Sequence, residues 1–221
     1  QADRFWKRTP LFAAVEMRNR DFPPDAPPPV SDPGDPMDLI KALLKKGADP
    51  NAQVNTTPVR GFMQRVASWT NFDGQTAFIR AALAGDVSLM RLLLEYGADP
   101  NIKTNEGSTA LMAAAGINWV VSETYTRTNE EYLEAAKLCL ERGNDVNAVN
   151  KVGFRAIHGA ANKGFDAMVR LLASAGAKLD VKDAEGRTPM TFAEGVFLGI
   201  HPPKAKPTTV ALLKELMGET K

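Results

Sequence analysis

One short phrase returns along this chain at a near-fixed interval, and that return governs what the chain can fold into. Gly47-Ala48-Asp49-Pro50-Asn51 reappears as Gly97-Ala98-Asp99-Pro100-Asn101. It returns more loosely as Gly143-Asn144-Asp145-Val146-Asn147 and Gly176-Ala177-Lys178-Leu179-Asp180, with steps of 50, 46 and 33 between the glycines. A second phrase runs beside it: Thr9-Pro10-Leu11-Phe12-Ala13-Ala14, Thr76-Ala77-Phe78, Thr109-Ala110-Leu111-Met112-Ala113-Ala114, Arg155-Ala156-Ile157-His158 and Thr188-Pro189-Met190. From Thr76 the steps are 33, 46 and 33, so the period is 33, with 13 extra residues in one unit and two insertions of 17 between Thr9 and Thr76. A unit that recurs in this way cannot bury its own apolar face, so neighbours must stack to build a core.

Each phrase has a local physical reason. Thr76 and Thr109 stand where a hydroxyl can accept from an otherwise unpaired N–H and start a helix. Pro10 and Pro189 fit a first helical turn, where no N–H is needed. The small pairs Ala81-Ala82 and Ala113-Ala114 let helices approach closely. Met90, Leu93 and Leu94 form one apolar stripe at i, i+3 and i+4, and Ile40, Leu43 and Leu44 form another, with Val169 and Leu172 repeating the spacing. Gly47, Gly97, Gly143 and Gly176 then end their helices in the left-handed conformation that glycine adopts cheaply.

Together these phrases closely resemble the ankyrin repeat: a turn, a Thr-Pro-Leu-His-like helix start, a second helix ending in Leu-Leu and a Gly-Ala-Asp-x-Asn exit. The resemblance implies an all-α fold, a solenoid of stacked helix-turn-helix units with β-turn fingers and long inserted loops. It implies one domain, 1–221, with repeats at about 1–52, 71–103, 104–148, 149–181 and 182–221 and insertions at about 19–35, 53–72, 117–130 and 198–207. The first insertion is proline-rich: Pro23, Pro24, Pro27, Pro28, Pro29, Pro33 and Pro36 lie in or beside it.

The two ends differ from the middle. Trp6-Lys7-Arg8-Thr9 replaces the Gly-x-Thr turn in the first unit. Phe5 and Trp6 read as residues that pack on something N-terminal, either upstream repeats of a longer array or a partner. Val210, Leu212, Leu213, Leu216 and Met217 read as a helix closing the stack, after a stiff connector, His201-Pro202-Pro203-Lys204-Ala205-Lys206-Pro207. A narrower resemblance, to exported ankyrin proteins of environmental bacteria, rests on Phe192-Ala193-Glu194-Gly195, Thr209-Val210-Ala211-Leu212-Leu213 and the long early insertions. It implies export.

The function implied by the resemblance is protein binding. In ankyrin proteins the fingers and first helices form a concave surface that partners occupy. Carried over position by position, that habit points to Asn71, Phe72, Asp73 and Gln75, to Asn105, Glu106 and Ser108, to Lys151, Val152, Phe154, Asn162 and Lys163, and to Glu185 and Arg187. The long finger carries Arg60, Phe62, Met63, Arg65, Trp69 and Phe72, and aromatics and arginines are enriched at the energetic centres of interfaces. Phe62, Met63 and Trp69 have a second reading, in which they fold back on the stack as a small core. Trp119, Val120 and Val121 in the other loop read as self-packed. The alternative function is a structural one: a fixed subunit or packing element of a larger assembly or longer chain.

Composition narrows the remaining classes. The net charge is +1, from 27 Lys and Arg against 26 Asp and Glu, and the charges are interspersed, which argues against a phosphate-tracking nucleic-acid surface. No apolar run is long enough to insert into a membrane. The one cysteine, Cys139, forms neither an internal disulfide nor a multi-thiolate metal site; it falls among Leu133, Ala136, Leu138 and Leu140 and reads as a small buried hydrophobe. Of the two histidines, His158 occupies the last slot of the Thr-Pro-Leu-His phrase, where family members use the ring to bridge backbone turns. His201 has no ligand neighbours at metal spacing. No phosphate loop, dinucleotide fingerprint, zinc-protease helix or nucleophile elbow occurs. The expectation is a protein with no enzymatic activity and no cofactor.

Overall fold

The computed structural model describes residues 8–19, 35–54, 70–118, 127–196 and 202–218. Phe5 and Trp6, Trp119, Val120 and Val121, and His201 lie outside the described residues.

Threonine capping sets the helix starts. Thr9, Thr76, Thr109 and Thr188 each accept, through Oγ1, the backbone N–H three residues on, at 3.1–3.3 Å. They open α1 (Pro10–Arg18), α3 (Ala77–Ala84), α5 (Ala110–Ala114) and α9 (Pro189–Glu194). The second helices of the units are α2 (Pro36–Lys45), α4 (Val87–Glu95), α6 (Asn129–Glu141) and α8 (Asp166–Ser174). α7 (Ala156–Lys163) is the first helix of the fourth unit, and α10 (Pro207–Met217) closes the chain. α6 begins inside the inserted span expected at 117–130. Thr128 and Glu131 form a reciprocal capping box there, Thr128 Oγ1 accepting from Glu131 N–H and Glu131 from Thr128 N–H.

α7 starts without a threonine, because Arg155 stands in the cap position. His158 reaches back instead, its Nδ1 taking the Arg155 N–H at 3.1 Å, while its own main-chain N–H donates to Arg155 O at 3.0 Å. The ring is wholly buried and edge-on to Phe192, with centroids 5.4 Å apart. Burial pushes its pKa down to about 4; the Asp183 carboxylate opposes this, Arg155 reinforces it, and the Val181 and Arg187 carbonyls favour the protonated form. Nε2 nonetheless makes no hydrogen bond of normal geometry. A buried base whose pKa falls from its ordinary value near 6.5 on folding is protonated more readily in the unfolded chain. Its contribution is therefore intact above about pH 6.5 and is lost as pH falls toward 4. Urea midpoints measured between pH 7 and pH 4 are expected to fall more steeply for the parent than for His158→Asn. Parallel pH profiles would show that His158 does not titrate on unfolding.

The repeated exits explain their own spelling. Asp49, Asp99 and Asp145 each accept, at 2.8 Å, the N–H of the asparagine two residues on. The asparagines then reach to the next unit. Asn51 donates to Gly97 O at 2.9 Å and accepts from Asp99 N–H at 2.7 Å. Asn147 repeats both bonds with Gly176 O and Lys178 N–H. Asn101 donates to Arg142 O and accepts from the Asn144 side chain. The exit of one unit is thus hydrogen-bonded to the exit of the next, which translation along a solenoid requires and an isolated hairpin does not.

Inside, α1, α3, α5, α7 and α9 pack in series, and α4, α6, α8 and α10 pack in a parallel row. The core runs unbroken from Leu11 and Ile40 through Leu89, Leu93, Leu111, Cys139 and Leu172 to Phe192 and Leu213. Cys139 is inside as a hydrophobe, and burial pushes its thiol pKa up. A buried ion cluster crosses three units: Asp86, wholly buried, caps α4 through Leu89 N–H and takes Arg18 Nε at 2.7 Å and Arg127 at 3.3 Å. Arg18 stands beside the insertion at 19–35, and Arg127 lies within that at 117–130.

Candidate functional site

The fingers are tight turns closed by their own main chain. Gly107 N–H donates to Thr104 O at 2.8 Å, Gly153 N–H to Asn150 O at 2.9 Å and Gly186 N–H to Asp183 O at 3.1 Å. Each finger is also tied to the next by one main-chain bond. Asn105 N–H donates to Asp73 O at 2.7 Å, Lys151 N–H to Glu106 O at 2.8 Å and Ala184 N–H to Val152 O at 3.1 Å. Gly153 shows how close this stacking is. Its φ is +84°, and a Cβ there would stand 2.5 Å from Ala184 N and 2.7 Å from Asp183 Cα. Gly186 has φ +79° with nothing within 4 Å. Gly186→Ala therefore meets only the backbone penalty, about 1 kcal/mol. Gly153→Ala must also push neighbouring fingers apart and is expected to cost about 2 kcal/mol in a urea melt, with equal losses for the two variants contradicting the stacking.

This construction sets the expected contact residues in two groups. Asn105, Lys151 and Glu185 are exposed on the tips, and Glu106 and Arg187 are half-buried. Lys151 Nζ stands 3.7 Å from Glu106 Oε1. Arg187 is held by Asp183 at 2.7 Å and Glu185 at 2.8 Å and lies over the Phe192 ring at 5.2 Å. Asn71 is exposed and Asp73 half-buried, joined by Asp73 N–H to Asn71 Oδ1 at 2.8 Å.

Phe72, Gln75 and Phe154, expected as contacts, point inward, as does Ser108. Gln75, Ser108 and Phe154 each stand one residue before a helix-capping position, a register that faces the core. Phe154 packs edge-on to Phe192 at 5.8 Å. Gln75 pairs with Val54 in an isolated antiparallel bridge. Phe72 holds the place taken by exposed Asn105 and Lys151 in later units, yet it belongs to the core. A partner can reach none of these side chains without opening the stack.

The helical part of the expected concave surface is also less open than the resemblance implies. Every residue of α3 and α5 is buried, and α7 is buried through Ala161. Asn162 and Lys163 are half-buried. The Lys163 ammonium sits 3.9 Å over the Tyr132 ring, and burial pushes its pKa down to about 8.

Arg60, Phe62, Met63, Arg65 and Trp69 lie outside the described residues. Both ends of their segment are anchored. Val54 N–H donates to Gln75 O at 3.0 Å. Asn118, which belongs to neither recurring phrase, clamps Thr70 from two sides: Oδ1 accepts Thr70 N–H at 3.2 Å and Nδ2 donates to Thr70 O at 2.6 Å. Its signal in the sequence is weak, a single asparagine after Gly116-Ile117, although asparagine tolerates the φ of +63° found there. Val149, another residue that the repeat pattern does not single out, is 49% exposed on the flank of the fourth finger.

A family model of ankyrin repeats, in three copies, matches residues 30–122. Residues 30–122 of this chain are ankyrin repeats. Past the matched span the exit bonds of Asn147 and the finger bonds of Lys151 and Ala184 continue the same pattern. No curated protein matches the chain. Ankyrin repeats are generally protein–protein interaction modules, and the family is typically non-enzymatic. Among the described residues, no group of three or more His, Cys, Asp or Glu side chains is placed to hold a metal ion. No described helix is long and apolar enough to cross a membrane.

Proposed function

We propose that this ankyrin array holds a protein partner on the ridge of its finger tips, through Asn105, Glu106, Lys151, Glu185 and Arg187. Arg60, Phe62, Met63, Arg65 and Trp69 of the long finger supply further apolar and cationic anchors for the same partner. The observation that supports this reading is the bonding of each finger to the next. The tips are held by main-chain bonds while Asn105, Lys151 and Glu185 face outward. A surface ordered before contact loses less freedom on binding, which favours affinity. The ridge carries both signs of charge, with Val149 as an apolar element between them. Such a surface selects a partner by charge complementarity and association rate more than by bulk apolar area.

The test is a triple variant, Asn105→Ala, Lys151→Ala and Glu185→Ala. All three side chains are exposed, so the urea midpoint is expected to stay at the parent value. Affinity capture with the unmodified chain as bait is expected to retain a partner that the triple variant loses. Retention of every captured protein by the triple variant would remove the ridge from the interface. Trp69→Ala separates the two readings of the long finger. Lost capture at unchanged stability means contact, and a lowered midpoint means packing on the stack.

A further inference from the structure

The two ends of the array are finished differently, and a comparison of equivalent positions locates the difference. Counting back eight residues from each helix-ending glycine gives Leu39, Leu89, Ala135 and Met168; counting back four gives Leu43, Leu93, Cys139 and Leu172. The six residues from the second, third and fourth units are wholly buried, whereas Leu39 is 47% exposed and Leu43 half-buried. The first helices repeat the contrast. Met17 is 50% exposed; of its equivalents, Ala84 and Ile117 are wholly buried and Lys163 is half-buried. Ala13 is half-buried where Arg80, Ala113 and Gly159 are buried, and Pro10 is exposed where Ala77, Ala110 and Ala156 are buried. Pro10, Ala13 and Met17 form an i, i+3, i+7 stripe on α1, and Leu39 and Leu43 an i, i+4 pair on α2.

In the later units these positions face the preceding hairpin. The first unit presents the same apolar stripe outward. At the other end, α10 turns Ala211, Lys214 and Glu215 to the surface together with one apolar side chain, Leu216, 36% exposed, a more polar finish than that of α1 and α2. We propose that the outward face of α1 and α2 is a stacking surface for one more helical hairpin of the ankyrin type, preceding it in the same polypeptide. Continuity with the interface between the later units identifies that occupant. Five positions match, one for one, positions that a preceding hairpin covers, in the same orientation and register. This inference does not depend on the finger ridge, which lies on another side of the units.

Thiol labelling tests it. Leu39→Cys and, separately, Met17→Cys change half-exposed side chains, so folding is expected to survive. Cys139, wholly buried and with its thiol pKa pushed up, serves as the silent internal blank. Each variant is made in the 221-residue chain and in the full gene product, then reacted with a maleimide. Labelling is expected to be fast in the 221-residue chain and about tenfold slower or more in the full product, where a stacked hairpin must open first. Equal rates in the two, or a full product with no hairpin before this one, would overturn the proposal. Protection that grows with concentration in the 221-residue chain would assign the face to a second copy and overturn it equally.

Discussion

Asp86→Ala is expected to lower the stability of the array by about 3 kcal/mol, read as a urea midpoint shift at constant m-value. The carboxylate is wholly buried and has three duties. It caps α4 through Leu89 N–H at 3.2 Å, takes Arg18 Nε at 2.7 Å and takes Arg127 at 3.3 Å. Alanine removes the cap, worth about 1 kcal/mol, and leaves two guanidiniums without their shared anion. A fraction of that loss is recovered. Arg18 still has Asp35 at 3.7 Å and Arg127 has Glu131 at 3.2 Å, and both arginine side chains keep a little under a fifth of their surface in water. The figure therefore stands at the low end of the range for breaking a buried pair. Asp86→Asn keeps the oxygen that caps Leu89 N–H and should regain about 1 kcal/mol. Because Arg18, Asp86 and Arg127 come from three successive units, the loss also weakens coupling between them, and in a linear array coupling is what keeps unfolding cooperative. A midpoint shift worth under about 1 kcal/mol would mean that the cluster contributes no more than an exposed ion pair.

How much of this architecture is legible in the sequence follows from what a repeat repeats. Thr76, Asp99, Asn101 and Gly97 act on backbone atoms in their own unit or the next. Their chemistry is the same each time, so their spacing announces the fold. His158 is legible for the same reason, as the ring that takes over backbone bridging in the fourth unit. Asp86 and Asn118 occur once each. Their partners lie 68 and 48 residues away in sequence, across insertions that break the period, so no local pattern reports them.

The candidate site is legible only in part, because a finger turn alternates between outward and inward positions. Asn105 and Lys151 share one turn position and Glu185 stands one position on; all three are polar and exposed, whereas the apolar Phe72 at the first of these positions is buried. The neighbourhood of Phe154 and Gln75 suggests an outward position, yet the residue before the cap turns inward in the second, third and fourth units. Ser108 carries the available clue: a small side chain in a slot that in the next unit accepts a phenylalanine suggests a space-filling position rather than a contact. The burial of α3 on every face has a sequence trace as well. Ala77-Phe78-Ile79-Arg80-Ala81-Ala82-Leu83-Ala84 holds one charged residue, too few for a helix with a wet side. Arg80 escapes the expected cost by donating to Asn19 O at 2.6 Å.

Leu93→Ala is expected to cost about 2–5 kcal/mol, and Leu39→Ala less than about 0.5 kcal/mol, in parallel urea melts of the 221-residue chain. Leu93 stands four residues before Gly97 in α4, wholly buried within the continuous core. Its main chain is fixed by the glycine-ended cap, where its carbonyl accepts Ala98 N–H at 2.9 Å. With the backbone held by that cap and the side chain enclosed by neighbouring helices, the site has little room to collapse around a smaller residue. The cavity term therefore adds to the lost transfer energy instead of relaxing away. Leu39 stands four residues earlier than Leu43, the first-unit equivalent of Leu93, on the outward face, and alanine there removes surface that water already touches. Residue type and helix class are the same, and Leu39 stands one helical turn earlier than the equivalent of Leu93, so the difference in cost reports how far neighbouring helices enclose each side chain. A cost at Leu93 below about 0.5 kcal/mol would show that these helices do not shield one another, and the serial core would lose its physical basis.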